Sequence, residues 1–374
     1  MRRQASAIPA TALVTACLTV SAVFAQTMAR AQATARAQSS PNVLPMPAFH
    51  HIHLNSTNPE RSIEWYAKYW PRGRKTTYAG FPAFQDDIYL LYTKVATPAP
   101  GAFDRTLQRS VPQSAFWTFG STVTDSKVLF DRLSTLGADF QFLPVYTGPD
   151  DDRGVLRSSL GPYGDQLLTA TQLRERAASG TKPEGVTSNQ DFGYLVDPDG
   201  VLVEFNKGPE ENFWGHSHFW HEQPLCAANW YVAHLGMAFQ PRRDPVTGQL
   251  NAQPGPWSPC DVPVGEVSYP SFIQSGQLRI PIGSVRFANG VWSWYTRQCR
   301  LGRCGQGNDR PLVKSKGQVV DHIGLAFPDL TAVIAHLKST SVPIVSGPYP
   351  LGDTRAVMIE DLDGLGLELV ETRR

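Results

Sequence analysis

The stretch HHIHLNSTNPERSIEWY (residues 50–66) holds three of the chain's nine histidines, directly ahead of a helical pattern that a proline starts. A second stretch, HSHFWHEQPLCAANWY (residues 216–231), repeats this arrangement. An ungapped overlay of residues 51–70 on 216–235 matches His51 with His216, His53 with His218, Pro59 with Pro224, Trp65 with Trp230 and Tyr66 with Tyr231. These matches indicate that the chain contains an internal duplication.

A second pair of segments supports the duplication. DPDGVLVEF (residues 197–205) matches DLDGLGLEL (residues 361–369), which places Glu204 on Glu368. In each segment the central Asp-Xaa-Asp-Gly predicts a turn between two strands. The two pairs of matches lie far apart in the chain at nearly the same offset, so the duplicated unit covers about half of the sequence.

Each half of the chain divides again into two units. Residues 114–140 and 319–344 both read as a strand, a turn and a helix, and short β-rich runs follow the helices. Pro59, Pro224 and Asp329 lie where helices are expected to begin. The pattern predicts an α+β fold of four βαβββ modules. A single module leaves one apolar face of its sheet exposed, so we expect modules to pair.

The N-terminus and the linker set the expected domain boundaries. Residues 1–25 have the layout of a secretory signal peptide, and residues 26–46 are predicted to be a disordered leader. The modules then form an N-terminal domain, residues 47–208, and a C-terminal domain, residues 209–374. We therefore predict an exported protein, located in the periplasm or secreted.

Composition narrows the function. The formal net charge is +1, so the charge gives no reason to expect binding to nucleic acid or to an anionic membrane surface. After the signal segment, no apolar run is long enough to span a membrane. Four cysteines remain beyond it, Cys226, Cys260, Cys299 and Cys304, which permit two disulfides with Cys299–Cys304 as the favoured pair. Free thiols and a zinc site are the alternatives, although no CxxC spacing is present.

Strand histidines and one glutamate suggest a metal site. Strand residues two apart share a face, so His216 and His218 point the same way. If the third and fourth modules close around a common centre, His216, His322 and Glu368 converge there. Two imidazoles and a carboxylate suit one divalent ion, Fe(II), Mn(II) or Zn(II), with positions left for water and substrate. A strand histidine taken alone is more often an ordinary core or surface residue.

The paired modules resemble the vicinal oxygen chelate superfamily, which includes glyoxalase I, bleomycin-resistance proteins and extradiol dioxygenases. The resemblance covers residues 48–374, and its strongest signals are HHIHLNSTNPERSIEWY, DPDGVLVEF, DHIGLAFPDL (residues 321–330) and DLDGLGLELVE (residues 361–371). It implies two vicinal-oxygen-chelate-type domains and assigns the metal ligands to His216, His322 and Glu368. It also makes the N-terminal domain a degenerate copy, because Thr118 takes the place of His322 and only His51 or His53 and Glu204 remain.

Two departures from the family pattern argue against assigning its best-known reactions, ring cleavage and glyoxalase chemistry, to this chain. Ring-cleaving members carry an acid-base tyrosine where this chain has Met358, whereas Tyr194 holds that position in the first half. Glyoxalases use a fourth ligand where the segment GVWSWYTRQC (residues 290–299) has no acidic residue. His221 and Glu222 are candidates for a catalytic proton-transfer pair, with surface polar residues as the plainer interpretation.

These observations predict a metal-dependent enzyme acting on a small oxygen-bearing organic molecule, with dioxygenase chemistry ranked first. A glyoxalase-like lyase or isomerase is the second hypothesis. The third is a metal-free protein that sequesters a ligand, as bleomycin-resistance proteins do. The expected partner is a small-molecule substrate, with no nucleic acid and no membrane span, and the fold is compatible with a homodimer.

Overall fold

The computed structural model describes residues 44–105, 109–138, 140–141, 144–146, 155–158, 166–169, 192–208, 210–240, 255–261, 273–274, 277–278, 283–289, 292–296 and 311–372. The predicted signal peptide, nearly all of the predicted leader, and the Cys299–Cys304 pair lie outside these residues. Residues Leu44–Arg374 belong to one compact unit.

Four helices occupy the described residues, one in each module. They are α1 (Pro59–Tyr69), α2 (Ser126–Thr135), α3 (Pro224–Leu235) and α4 (Leu330–Ser339). Proline at the first position suits a helix start because its missing N–H would have no partner there. The Asp329 side chain caps α4 by accepting from the Thr331 and Ala332 amides. The three helix starts predicted from sequence are therefore confirmed.

The first sheet has eight strands in the order β2-β3-β4-β1-β20-β23-β22-β21. Its strands are β1 (Ala48–Ser56), β2 (Arg74–Tyr78), β3 (Phe81–Gln85), β4 (Tyr89–Lys94), β20 (Val320–Phe327), β21 (Ile344–Leu351), β22 (Thr354–Glu360) and β23 (Gly366–Glu371). The first and fourth modules thus share one sheet, joined by antiparallel pairing of β1 with β20.

The second sheet also has eight strands, in the order β15-β18-β19-β14-β7-β13-β12-β8. Its strands are β7 (Phe116–Val123), β8 (Phe140–Gln141), β12 (Phe192–Val196), β13 (Leu202–Lys207), β14 (Asn212–Trp220), β15 (Ala238–Phe239), β18 (Gly283–Arg286) and β19 (Trp292–Thr296). Three small sheets contain β5 (Phe103–Asp104), β6 (Arg109–Ser110), β9 (Pro144–Tyr146), β10 (Val155–Ser158), β11 (Gln166–Thr169), β16 (Ile273–Gln274) and β17 (Gln277–Leu278).

The α+β fold of βαβββ modules is confirmed, but the modules pair differently from the sequence-based expectation. From the sequence we expect the first module to share a sheet with the second, and the third with the fourth. Instead the second and third modules share a sheet, because a short link from Gly208 to Glu211 lets β14 turn back and pair antiparallel with β7. The predicted boundary at residues 208 and 209 therefore falls inside one sheet.

A continuous hydrophobic core connects the two sheets. The Phe49 ring on β1 stacks on the Trp214 ring on β14 with their centroids 3.9 Å apart. Trp214 in turn stacks on Phe119 of β7 at 5.2 Å. All three side chains are buried, and such aromatic contacts contribute strongly to core stability.

One disulfide lies within the described residues. It joins Cys226 on α3 to Cys260, which is a different pair from the one that the sequence favoured. Disulfides are typical of oxidising compartments. None of the helices among the described residues combines the length and apolar character needed to cross a bilayer.

Candidate metal centres

Four side chains from three neighbouring strands meet in the first sheet, and we call His51, His53, His322 and Glu368 the first centre. His51 and His53 lie two residues apart on β1 and therefore face the same side. His322 on β20 lies directly opposite His53, and β23 brings Glu368 alongside β20. All four side chains are buried.

Three polar atoms of the first centre face one another and have no hydrogen-bond partner among the described residues. They are His51 Nε2, His322 Nε2 and Glu368 Oε2. Oε2 of Glu368 lies 3.3 Å from His51 Nε2 and 3.9 Å from His322 Nε2. One nitrogen from each of His51, His53 and His322 also lies within 4.8 Å of the others. Buried polar atoms normally have partners, so this unsatisfied cluster fits a divalent cation.

The opposite polar atom of each of these three ligands is already held. His51 Nδ1 lies 2.8 Å from His50 Nδ1, and His322 Nδ1 lies 2.7 Å from Asp321 Oδ1. The Tyr349 hydroxyl donates to Glu368 Oε1 at 2.6 Å. An ionised Asp321 accepts from Nδ1 of His322, and Nε2 of that ring faces the centre. Such supporting contacts orient metal ligands and fix their tautomers.

Burial keeps three histidines of this region, His50, His51 and His53, in their neutral form. Burial, followed by the neighbouring His50, His322 and His53 rings, lowers the pKa of His51 well below its usual value. Burial also lowers the pKa of His53 to about 3 and that of His50 to about 4. Although burial opposes it, the hydrogen bond from His322 keeps the pKa of Asp321 below its ordinary value. Neutral imidazoles at physiological pH are ready to bind a cation.

Two hairpins close over one side of the first centre. Tyr78 and Phe81, at the β2–β3 turn, pack against a buried cluster that includes Leu351 of β21, and Tyr349 packs against the same cluster. The edges of the first sheet therefore approach each other, although no strand pairing joins them in the described sheet order. The Phe81 ring lies edge-on to His53 with their centroids 4.7 Å apart. The result is a buried polar centre with an aromatic rim.

A glycine makes room for one histidine ring in each sheet. Gly324 lies opposite His51 across β1–β20, and a Cβ at Gly324 would be 2.0 Å from the His51 ring. Gly120 lies opposite His216 across β7–β14, and a Cβ there would be 2.1 Å from the His216 ring. Both glycines are needed for close approach, so they help to position the histidines.

The second sheet carries a related cluster, and we call Glu204, His216 and His218 the second centre. Nε2 of His216 lies 3.3 Å from Glu204 Oε1, and Nε2 of His218 lies 3.4 Å from Glu204 Oε2. One ligand atom from each residue lies within 4.8 Å of the other two. Although burial raises it, the two imidazoles hold the pKa of Glu204 below its ordinary value.

The ligand set assigned from sequence is divided between these two centres. His322 and Glu368 meet in the first sheet as expected, but their first-strand histidine is His51. His216 belongs to the second sheet, where it meets Glu204. The physical reason is the module pairing, because β14 is hydrogen-bonded between β7 and β19 and so does not adjoin β20. The histidine cluster at residues 50–53 is therefore part of the better-supported centre.

His221 and Glu222 lie at neither centre. The buried His221 ring contacts the turn that precedes β23, with Nδ1 2.6 Å from Asp363 Oδ2 and Nε2 3.3 Å from Asp361 Oδ2. The backbone amide of Glu222 also donates to Asp363. Asp361 accepts a hydrogen bond from the Tyr231 hydroxyl as well. In this geometry His221 joins the third module to the fourth rather than moving protons at a metal.

We expect His221→Ala to destabilise the fold by about 3 kcal/mol, because it leaves two carboxylates at a buried turn without their shared partner. Glu222→Ala is the matched control and should destabilise the fold less than His221→Ala, since the hydrogen bond that Glu222 gives to Asp363 comes from its backbone amide and survives the substitution. Urea unfolding of both variants tests this expectation. Equal stability of the two variants would contradict it.

Sequence reasoning missed the residues behind the ligands. Tyr349 lies on β21, nineteen positions before the glutamate it contacts. Asp321 could have been recognised from sequence as a supporting residue, since it directly precedes His322. His50 was visible in the same cluster as His51. Only contacts across strands distinguish these supporting residues from ordinary surface polar groups.

The fold is similar to known structures although the sequence is not. No family model and no curated protein matches the chain. A glyoxalase I point variant from Zea mays superposes with a TM-score of 0.50 at 14% identity, covering 87% of this chain and 94% of that chain. Glyoxalase I from Zea mays gives a TM-score of 0.49 at 14% identity, covering 87% and 92%. A glyoxalase/dioxygenase from Nostoc punctiforme gives 0.27 at 16% identity, covering 43% and 90%. The chain therefore has the paired βαβββ fold of the vicinal oxygen chelate superfamily.

Proposed function

We propose that the protein is an exported, metal-dependent dioxygenase that acts at the first centre on a small organic molecule with neighbouring oxygen atoms. The ligands are His51, His322 and Glu368, and the metal is a divalent ion, with Fe(II) the one that suits oxygenation. The second candidate is a lyase or isomerase using Mn(II) or Zn(II) at the same place.

The observation that carries this proposal is the convergence of His51 Nε2, His322 Nε2 and Glu368 Oε2. All three atoms are buried and lack hydrogen bonds, while the opposite atom of each group is held. A purely structural cluster would be expected to satisfy these atoms, because an unpaired buried polar group costs about 1–3 kcal/mol. A ligand set prepared for a cation explains both features.

The ligand chemistry favours oxygenation. Two histidines and one carboxylate are typical of non-haem iron oxygenases, where the iron supplies positions for an organic substrate and O₂. In this sheet the strand next to β1 is β4, whose sequence YLLYTK has no carboxylate to act as a fourth ligand or base. Lyases of this fold have an acidic ligand on this strand. The strand lacks one at the first centre, as the segment at residues 290–299 does in the third module.

The surrounding residues orient a substrate and limit water. Burial, and then its hydrogen bond to Glu368, raises the pKa of Tyr349, so this hydroxyl stays protonated and fixes the carboxylate. Nε2 of His53 lies 2.8 Å from Thr93 Oγ1, so Nδ1 is the nitrogen that this contact does not use. The aromatic rim at Tyr78 and Phe81 suits a planar, hydroxylated molecule.

The position of His53 beside the other ligands supports the second candidate, a lyase or isomerase. If its Nδ1 binds the ion, the centre has three histidines and one carboxylate. Fewer positions then remain for O₂, and Lewis-acid activation of a chelating substrate becomes the better fit. The third hypothesis, ligand sequestration without metal, leaves the unsatisfied atoms of the centre unexplained.

Export and the small-molecule partner remain part of the proposal. The Cys226–Cys260 disulfide supports an oxidising compartment. A homodimer stays compatible with the fold, and the proposed chemistry does not require one.

We expect metal-free protein, reloaded anaerobically with Fe(II), to consume O₂ with at least one member of a catechol and hydroxyaromatic panel. His322→Ala should lose the iron of the first centre and at least 100-fold in rate, because one of three ligands is gone. His221→Asn is the matched control, since it alters a buried histidine away from the centre. Elemental analysis gives the readout that is independent of activity.

Two other results would redirect the assignment. Isomerisation with Mn(II) or Zn(II), without O₂ uptake by the iron form, would replace the dioxygenase with the lyase. Purified protein without transition metal, whose ligand binding is unchanged in His51→Ala, would favour sequestration.

A further inference from the structure

We propose that the second centre is a metal site in its own right, with a ligand set that differs from that of the first. Its ligands are Glu204, His216 and His218, and its ion is a divalent cation of the zinc, iron or manganese type. This inference does not depend on the reaction proposed for the first centre.

The two centres differ at one position, where the second centre has Thr118 in place of His322. We infer that His218, on the facing strand, takes over the missing ligand. In the first centre His53 lies opposite His322. At the corresponding place in the second centre His218 lies opposite Thr118. The Thr118 hydroxyl donates to Leu202 O at 2.8 Å and lies 3.1 Å from Phe119 O, so it is committed to the backbone. His218 therefore supplies the third ligand that Thr118 lacks.

Burial and unsatisfied atoms support a cation here. Glu204 and His216 are nearly inaccessible, and within the part of the chain that the structure describes Oε2 of Glu204 has no hydrogen bond. The glutamate presents one oxygen to each imidazole at 3.3 and 3.4 Å. Gly120 further keeps open the space that the His216 ring occupies. The burial, the facing glycine and the unpartnered carboxylate oxygen are features that the second centre shares with the first.

The second centre has weaker support behind its ligands. His216 Nδ1 is buried without a hydrogen bond, whereas His322 Nδ1 is held by Asp321. The side chain of His218 keeps 18% of its accessible surface and adjoins Trp117, with ring centroids 5.2 Å apart. An ion therefore has a route past His218. Because supporting contacts contribute about 10- to 100-fold in affinity, we infer that this site binds more weakly than the first by a factor in that range.

The experiment is a Zn(II) titration of chelator-stripped protein, followed by calorimetry and elemental analysis. Wild type should bind two ions per chain in a tight and a weak step. His218→Ala should lose the weak step and keep the tight one, whereas His322→Ala should lose the tight step. Glu204→Gln repeats the test with a side chain of nearly the same shape. Circular dichroism checks that each variant is folded.

A gain-of-ligand variant makes the test sharper. Thr118→His in the His218→Ala background restores the pattern of the first centre and should recover the second ion. A wild-type chain that binds one ion, with the same count in His218→Ala and Glu204→Gln, would overturn the proposal and leave a histidine–glutamate ion pair. If the first centre binds nothing, His218→Ala still removes the remaining ion, so failure of the two proposals can be told apart.

Discussion

Replacing Gly324 with alanine should weaken metal binding at the first centre by on the order of 100-fold, although it adds a single methyl group to a residue that is not a ligand. The new Cβ would lie 2.0 Å from Cε1 and Nδ1 of His51. The movement of the His51 ring is restricted, because it is fully buried and its Nδ1 contacts His50. The ring must turn or β20 must shift, and either change separates Nε2 of His51 from Glu368.

Gly120→Ala is the matched control for this prediction. It makes the same change opposite His216, with a Cβ 2.1 Å from Cε1 of that ring, but in the other sheet. Both variants are best made in the His218→Ala background, so that any ion measured belongs to the first centre. Adding Gly324→Ala should then abolish stoichiometric Zn(II) binding at micromolar concentrations, and adding Gly120→Ala should leave one ion per chain.

A double-mutant cycle separates the steric effect from general destabilisation. His51→Ala removes the ring that the new methyl group would meet. The combination of His51→Ala with Gly324→Ala should therefore be more stable than the sum of the two single effects, by about 1–3 kcal/mol. Additive stabilities, or full metal occupancy in a folded Gly324→Ala variant, would show that His51 does not bind the ion in this orientation.

These glycines also explain why the sequence predicted the modules but not their pairing. Local patterns identify strands, capped helices and the turns before β13 and β23, because those features depend on residues close in the chain. Pairing is different. Gly120 and Gly324 occupy equivalent positions in β7 and β20, so either strand offers room for the ring of His51 or His216. The repeated segments themselves therefore do not distinguish the two ways of pairing the modules.

The expected convergence of His216 with His322 and Glu368 is wrong for the same reason. His322 and Glu368 were correctly placed together because both belong to the fourth module, within one strand pair. Their third partner comes from another module, and the repeat makes His51 and His216 equivalent candidates. The short link between β13 and β14 is the physical feature that decides between them, since it favours an antiparallel return onto β7.

Loss of the Cys226–Cys260 disulfide should lower the free energy of unfolding by about 4 kcal/mol, while leaving the ion at the first centre in place. The bond closes a loop with a sequence separation of 34 residues, which restricts the unfolded chain. It also fastens residues 255–261 to α3, where Asn229 exchanges two hydrogen bonds with the backbone of Trp257, at 2.8 and 3.0 Å. The first centre lies in the other sheet, so its ligands do not depend on this attachment.

Urea unfolding of Cys226→Ser, Cys260→Ser and the double variant tests this expectation. The double variant should be no less stable than either single one, because one bond is lost in all three. Asn229→Ala is the matched control, since it removes the two hydrogen bonds but keeps the disulfide, and should cost about 1–2 kcal/mol. Two outcomes would contradict the argument. A loss equal to that of Asn229→Ala would show that loop closure contributes little, and loss of the first-centre ion would show that the two sheets are more strongly coupled than their separate ligand sets imply.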